Sequence, residues 1–306
     1  MSDCAHHVTT FVPAQDGRRL AVRIAGDPAG MPVILLHGTP GCRLGPLPKW
    51  KVLYSQGIRL ISFDRPGYGR SDRLVARRVA DVADDVAAIA DAIGLRRFAV
   101  LGRSGGGPHA LACAALLPDR VVRAGVLVSL APPTAEGLDW FGGMTDGNVA
   151  EYTIAATDPE TLAARLIGTA AQIKANPFSH VASIYEELTE SDRRIVADAG
   201  IRALLAESYA EALRNSADGW IDDSLAFCAP WGFDPARIEV PVLLWHGEDD
   251  VFSPVAHTRW LAARIPGAIS VVSPGAAHFD ALRVAPDVLS WLIRRDQIGW
   301  GSRSLF

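Results

Sequence analysis

The chain has 306 residues, 49% of them apolar and 21% charged, enough to bury a large core and too apolar for a disordered low-complexity chain. Thirty Lys and Arg against thirty-four Asp and Glu leave a net charge of −4, which offers no electrostatic footing for nucleic acid. No apolar run reaches the ~18 residues that a membrane-spanning helix needs.

In chain order, the segment Met1-Ser2-Asp3-Cys4-Ala5-His6-His7 has neither the basic start nor the apolar stretch of a signal peptide. Cys4, Cys42, Cys113 and Cys228 are scattered without CxxC spacing. A cytoplasmic chain is expected, with no disulfide scaffold and no zinc site. Residues 9–12 and 20–24, either side of Asp16-Gly17, read as an antiparallel hairpin at a sheet edge. Residues 33–36 form a short β-prone run closed by His37-Gly38. Residues 59–64 form another, closed by Arg65-Pro66-Gly67-Tyr68-Gly69. Val79, Val82, Val86, Ile89 and Ile93 step by three and four along one face of a helix. Asp81, Asp84, Asp85 and Asp91 fall off that stripe, and Gly94 suits a C′ stop. Residues 98–102 read as a strand before a Gly-rich turn, 109–117 as a helix ended by Pro118, and 122–130 as a strand buried on both faces.

From residue 134 to 234 the pattern is helical, with candidate helices at 159–175, 179–189, 191–199 and 202–216. Asp158-Pro159 reads as N-cap and N1 of the first. Alternation then resumes with a strand at 242–245, a helix at 254–265, a strand at 269–272 and a helix at 281–294. Strands alternating with helices predict an α/β fold: a mostly parallel, doubly wound, eight-stranded sheet. The core is expected at 1–133 and 235–306. The inserted segment 134–234 is expected as a helical cap over the C-terminal edge of the strands, where open α/β sheets place their ligands.

Between strand and helix stands Gly102-Arg103-Ser104-Gly105-Gly106, a G-x-S-x-G in its required context. Such a sharp turn strains the serine backbone, excludes neighbouring Cβ atoms and leaves the serine oxygen clear of the sheet. The Gly105 amide then points into the same space at a helix N-terminus. A serine needs a base, and the base needs an orienting acid. His278 follows the last strand and overhangs the same edge; His37, His109, His180, His246 and His257 precede the candidate acids or lie in helices or strand ends. Three carboxylates, Glu248, Asp249 and Asp250, lie in the loop before Pro254. Asp250 is the chosen acid and Asp249 the alternative. The preceding strand end, Ser129-Leu130-Ala131-Pro132-Pro133, carries no acid. A second oxyanion donor is expected from Thr39 N–H in His37-Gly38-Thr39-Pro40-Gly41, paired with Gly105 N–H. His37 is expected to hold that loop by hydrogen bonds.

Leu36-His37-Gly38-Thr39-Pro40-Gly41, Phe63-Asp64-Arg65-Pro66-Gly67-Tyr68-Gly69-Arg70-Ser71, the serine turn, residues 247–254 and His278 follow one order. In these motifs the chain resembles the capped α/β-hydrolase superfamily, in its esterase, proline iminopeptidase and haloperoxidase-like branch. The resemblance implies Ser104 as nucleophile, His278 as base, Asp250 as acid, and Thr39 and Gly105 as oxyanion amides. Two features depart from the family. Arg103 stands where an aromatic or neutral polar residue is common, either in a salt bridge beneath the turn or facing the pocket. Gly275-Ala276-Ala277-His278 replaces a shorter Gly-Gly-His or Gly-His.

Candidate substrate contacts are Gly38, Trp140, Phe141 and Phe279, in a mostly apolar pocket. Trp140 and Phe141 either overhang Ser104 or anchor the cap; for Trp231 the anchoring role is expected. Amine-holding carboxylates would suit a peptidase, but nothing singles out Glu186, Glu187 or Glu207. The expected activity is hydrolysis of a small-to-medium, largely apolar ester or lactone through an acyl-enzyme, without metal or cofactor. The expected partner is a small-molecule substrate, with a homodimer left open. The alternatives are an iminopeptidase-like peptidase, a tailoring enzyme, and a ligand receptor that hardly turns over.

Overall fold

The computed structural model describes residues 9–46 and 48–294; Cys4, His6 and His7 lie outside them. Eight strands form one sheet: β1 (Thr9–Pro13), β2 (Arg19–Gly26), β3 (Met31–Leu36), β4 (Ile58–Phe63), β5 (Phe98–Arg103), β6 (Val121–Leu127), β7 (Val242–Gly247) and β8 (Ile269–Ser273). Their order is β1-β2-β4-β3-β5-β6-β7-β8. The hairpin β1/β2 closes the edge, β2 joins β4 antiparallel, and every later pairing is parallel.

Alternation within each central strand feeds two cores. Ile34, Leu36, Val100, Val126 and Leu244 face the helices α2 (Val82–Ala92), α3 (Gly106–Leu116) and α10 (Val255–Arg264). Val33, Ala99, Leu101, Leu127, Leu243 and Trp245 face α1 (Trp50–Ser55) and α11 (Ala281–Leu292). Between β6 and β7 stand α4 (Asp146–Thr157), α5 (Pro159–Ala175), α6 (Ser179–Ser183), α7 (Glu190–Val196), α8 (Ala199–Ala212) and α9 (Asp218–Phe227). Their own cluster, with Leu162, Leu205, Tyr209 and Trp220, takes in Tyr68 and Phe279 from the sheet side. Among the described residues no helix is long and apolar enough to cross a membrane.

Local differences have local causes. Helix α3 starts at Gly106, three residues before the expected 109, because the serine turn runs straight into it. Strand β6 stops at Leu127 rather than residue 130, since Val128 turns to φ +47°. The predicted helix 179–189 divides into α6 and a 3₁₀ turn, Tyr185–Glu187. Helices α1, α4 and α9 were not legible from periodicity. α9 is buried almost throughout, Asp222 and Asp223 included, so it has no polar face to announce it.

Candidate active site

Ser104 sits between β5 and α3 with φ +54°, a conformation a non-glycine residue adopts only under constraint. A Cβ on Gly102 would strike the Gly106 carbonyl and come within 2.8 Å of Ala110 Cβ. One on Gly105 would run into the Thr39 side chain. The motif glycines are therefore demanded by close approach, and Gly105 and Thr39 are brought against each other.

His278, in the loop between β8 and α11, places Nε2 3.0 Å from Ser104 Oγ and Nδ1 2.8 Å from Asp250 Oδ2. The other Asp250 oxygen accepts from the amides of Phe252 at 2.8 Å and Ser253 at 3.0 Å. His246 Nε2 lies 3.3 Å from Oδ2. Burial pushes this carboxyl up, but neighbouring His278 and the hydrogen bonds from His246 and His278 outweigh burial and hold it well below the carboxylate range. Asp249, one residue earlier, is exposed. The fold thus brings Ser104, His278 and Asp250 together and leaves the alternative acid outside. No sequence motif marks His246 for this role.

The loop after β3 is held by more than main-chain geometry. His37 Nε2 accepts from Arg65 N at 3.1 Å, and Nδ1 donates to the Gly38 carbonyl at 2.8 Å. Burial, then the Arg65 charge, lowers the His37 pKa well below its ordinary value, so the ring is a neutral brace. Thr39 was expected to contribute only its amide. Its hydroxyl also donates to Asp223 Oδ2 on α9 at 2.5 Å. Asp223 is fully buried and takes an Arg65–Asp223 ion pair, Arg77 at 2.6 Å and the Tyr68 hydroxyl at 2.8 Å. Burial alone would raise this carboxyl; the two guanidinium groups hold it far below instead. Thr39 and Gly105 both line the cavity over Ser104. In the turn itself, Ser104 N donates to Leu127 O and Gly107 N to Ser104 O.

The His278 loop is pinned from α7 and its flank. Phe279 N donates to Asp192 Oδ1 at 2.7 Å, Ala277 N to Asp280 Oδ2 at 2.9 Å, and Ser191 Oγ to the same Asp280 oxygen at 2.7 Å. Neither Asp192 nor Asp223 had a motif to mark it. The available signal was a carboxylate inside an otherwise apolar helical stretch.

The cavity has a volume of about 330 Å³. Ser104, His278, Phe252, Phe279 and Leu130 form its apolar and reactive floor, and Arg103, Glu151, Arg165, Gln172 and Glu187 contribute polar walls. The expected apolar pocket is therefore a mixed one. Phe279 lines it, but Trp140 and Phe141 do not. Trp140 Nε1 donates to the Ala131 carbonyl at 2.8 Å, with its ring 5.2 Å from Tyr152 and 5.4 Å from His257. It anchors, as Trp231 does by stacking on Phe233, and Phe141 is exposed. Gly38 also stands outside the lining, directly behind the serine: a Cβ there would meet Ser104 Cβ at 3.5 Å. Glu186 and Glu207 are exposed; Glu187 lines the cavity and accepts from Gly147 N at 3.1 Å. Glu151 accepts from Trp220 Nε1 at 2.9 Å and Ser224 Oγ at 2.7 Å, and burial raises its pKa.

Chemically, the arrangement can take a proton from a serine hydroxyl onto an imidazole oriented by a carboxylate, beside a cavity large enough for a small molecule.

Comparison with known proteins gives matching results. The alpha/beta hydrolase fold family matches residues 31–283. A non-heme chloroperoxidase of Streptomyces lividans is 28% identical over 282 residues, covering 91% of this chain and 96% of that one. A bifunctional esterase/perhydrolase of Acinetobacter calcoaceticus is 27% identical over 295 residues, covering 92% and 99%. The solved enol-lactonase of Burkholderia xenovorans superposes with a TM-score of 0.68 at 20% identity, covering 92% of this chain and 97% of that one, a likeness of fold.

Proposed function

The chain belongs to the alpha/beta hydrolase fold family, and on that footing we propose that it is a serine hydrolase cleaving a small-to-medium carboxylic ester or lactone through an acyl-enzyme. The observation that carries this reading is the continuous hydrogen-bond chain from Ser104 Oγ through His278 to Asp250. Ser104 Oγ attacks the carbonyl carbon as its proton passes to His278 Nε2. Asp250 holds the ring with Nδ1 protonated and stabilises the imidazolium. The oxyanion accepts from the amides of Thr39 and Gly105, each donor worth roughly 3–4 kcal/mol in the transition state. His278 returns the proton to the leaving oxygen, and water, activated by the same imidazole, releases the acid and frees Ser104. The helices between β6 and β7 act as the cap that shapes the cavity.

Hydrolysis of p-nitrophenyl acetate, butyrate and octanoate by wild type and Ser104→Ala tests the reading. Turnover that vanishes in the variant is expected, and a fluorophosphonate should label wild type alone. A stoichiometric burst or no reaction would favour a ligand receptor or a non-hydrolytic tailoring enzyme. The iminopeptidase-like alternative has Glu151 and Glu187 on the cavity wall in its favour, but each has an oxygen already engaged within the wall. Esters therefore rank first.

A further inference from the structure

Arg103, the variable residue of the serine motif, has no part in the reaction above. It lines the wall of the Ser104 cavity and also borders a second, apolar pocket behind Gly38. Its Nη2 lies 3.4 Å from where a Gly38 Cβ would be, so the guanidinium is packed against the loop beside the nucleophile. The deeply buried arginines are each paired: Arg43 with Asp64 at 2.5 Å, Arg77 with Asp223 at 2.6 Å, and Arg65 with Asp223. The Arg103 side chain forms no ion pair and no hydrogen bond among the described residues. Asp250, the carboxylate whose charge reaches it, is committed to His278. Desolvation accordingly lowers the Arg103 pKa, against weak compensation from Tyr209 and Asp250. Arg103 itself is half-buried and lines the cavity, so a carboxylate entering there meets a guanidinium that no protein carboxylate pairs with.

We propose that Arg103 selects substrates bearing a second, anionic group: a carboxylate that pairs with the guanidinium inside the cavity while the ester or lactone carbonyl meets Ser104. The inference rests on the hydrolase reading and names its substrate class. Guanidinium geometry favours it, since its planar fork matches a carboxylate in a two-pronged contact that a lysine cannot reproduce. Arg103 and Ser104 line one cavity, so the carboxylate and the reacting carbonyl belong to one small molecule, such as a dicarboxylic half-ester or a carboxylated lactone. The cavity volume of about 330 Å³ suits molecules of that size.

The test compares monomethyl adipate with methyl hexanoate by pH-stat titration, and reads the ratio of their kcat/KM values. Wild type should favour the half-ester at least tenfold. Arg103→Gln should reduce that ratio at least tenfold, mainly through the KM of the half-ester, and Arg103→Lys should keep part of it. An unchanged ratio in Arg103→Gln overturns the proposal. So does an equal loss on both esters, because a charge that only lowers the barrier treats both alike. If Arg103→Gln does not fold, calorimetry on Ser104→Ala decides: monomethyl adipate bound no tighter than methyl hexanoate overturns the proposal. If wild type turns over p-nitrophenyl esters but neither methyl ester, the same calorimetry on Ser104→Ala, repeated with Arg103→Gln added, decides: a preference for the half-ester that survives Arg103→Gln overturns the proposal. If it turns over none of these esters, the hydrolase reading fails.

Discussion

The Thr39 hydroxyl donates to the Asp223 carboxylate at 2.5 Å, joining the loop after β3 to helix α9 across 184 positions of sequence. The main-chain amide proposed to bind the oxyanion is thereby placed by a helix inserted between β6 and β7. Through Asp223, that placement also depends on Arg65, Arg77 and Tyr68.

Asp223→Ala should cost about 3–5 kcal/mol, because it strands two buried guanidinium groups. Thr39→Val removes one hydroxyl and should cost only about 1–2 kcal/mol. Its kcat should fall about tenfold, short of the ~10²-fold loss that a 1 Å misplacement can cause. Thermal melts and ester kinetics on both variants check this. A Thr39→Val enzyme with unchanged kcat would show that the hydroxyl does not position the amide.

Asp250→Asn should lower kcat by about 10⁴, since an amide opposite His278 Nδ1 favours the wrong tautomer. Asp249→Asn should be nearly silent, because Asp249 is exposed and Asp250 alone reaches His278. The reverse ranking in steady-state kinetics would reassign the acid.

Asp192 accepts the Phe279 amide and is fully buried, with its second oxygen unpaired. Asp192→Asn can keep that bond and should retain most activity. Asp192→Ala should lose about 1–3 kcal/mol and lower kcat as the His278 loop loosens. Equal kcat values for the two variants would dissociate α7 from the positioning of His278.

Trp140→Ala should act on stability, by roughly 3 kcal/mol, and leave acyl-chain preference unchanged, since the ring anchors on Ala131, Tyr152 and His257. A shift in chain-length preference at constant melting temperature would return Trp140 to the substrate.

Buried histidines set the acid limb of stability. Burial is the main cause lowering His109 to about 3, His180 to about 4 and His257 to about 4, whereas an unfolded chain protonates its histidines near 6.5. Over that window the unfolded state binds more protons, so stability is full above about pH 6.5 and declines as pH falls toward 4. Each such histidine contributes a slope of up to about 1.4 kcal/mol per pH unit. The depressed carboxyls of Asp223 and Asp250 add a further loss only below about pH 4, the unfolded aspartate value. Melting temperatures at pH 7.5, 6.5, 5.5 and 4.5 should therefore decline before the carboxyls of Asp223 and Asp250 titrate, and His180→Gln should flatten the decline. A level profile down to pH 5 would contradict buried neutral rings.

The sequence by itself determined what depends on neighbours along the chain. Strand alternation and buried apolar runs announced the sheet, because side-chain direction repeats every two residues in a strand. Gly102, Ser104 and Gly105 announced the sharp serine turn, because backbone strain and excluded Cβ volume are local demands. Asp158-Pro159 marked the start of α5 for the same reason, and Asp158 Oδ1 accepts from Thr161 N at 3.1 Å. Tertiary structure decided what depends on distant pairing. Ser104 meets His278 across 174 positions and His278 meets Asp250 across 28, and only the parallel pairing of β7 and β8, which sets their following loops side by side, shows which of two adjacent aspartates faces inward. Asp192 and Asp223 were hidden because a carboxylate on a helix reads as solvated until its burial is known. Trp140 was ambiguous because an aromatic side chain has equal reason to line a cavity or to fill a core, and its partners, Ala131 and His257, were settled by packing. The same physics separates Arg103 from Arg43, Arg65 and Arg77. All four are identical as letters, and only the folded chain shows which of them lacks a counter-charge.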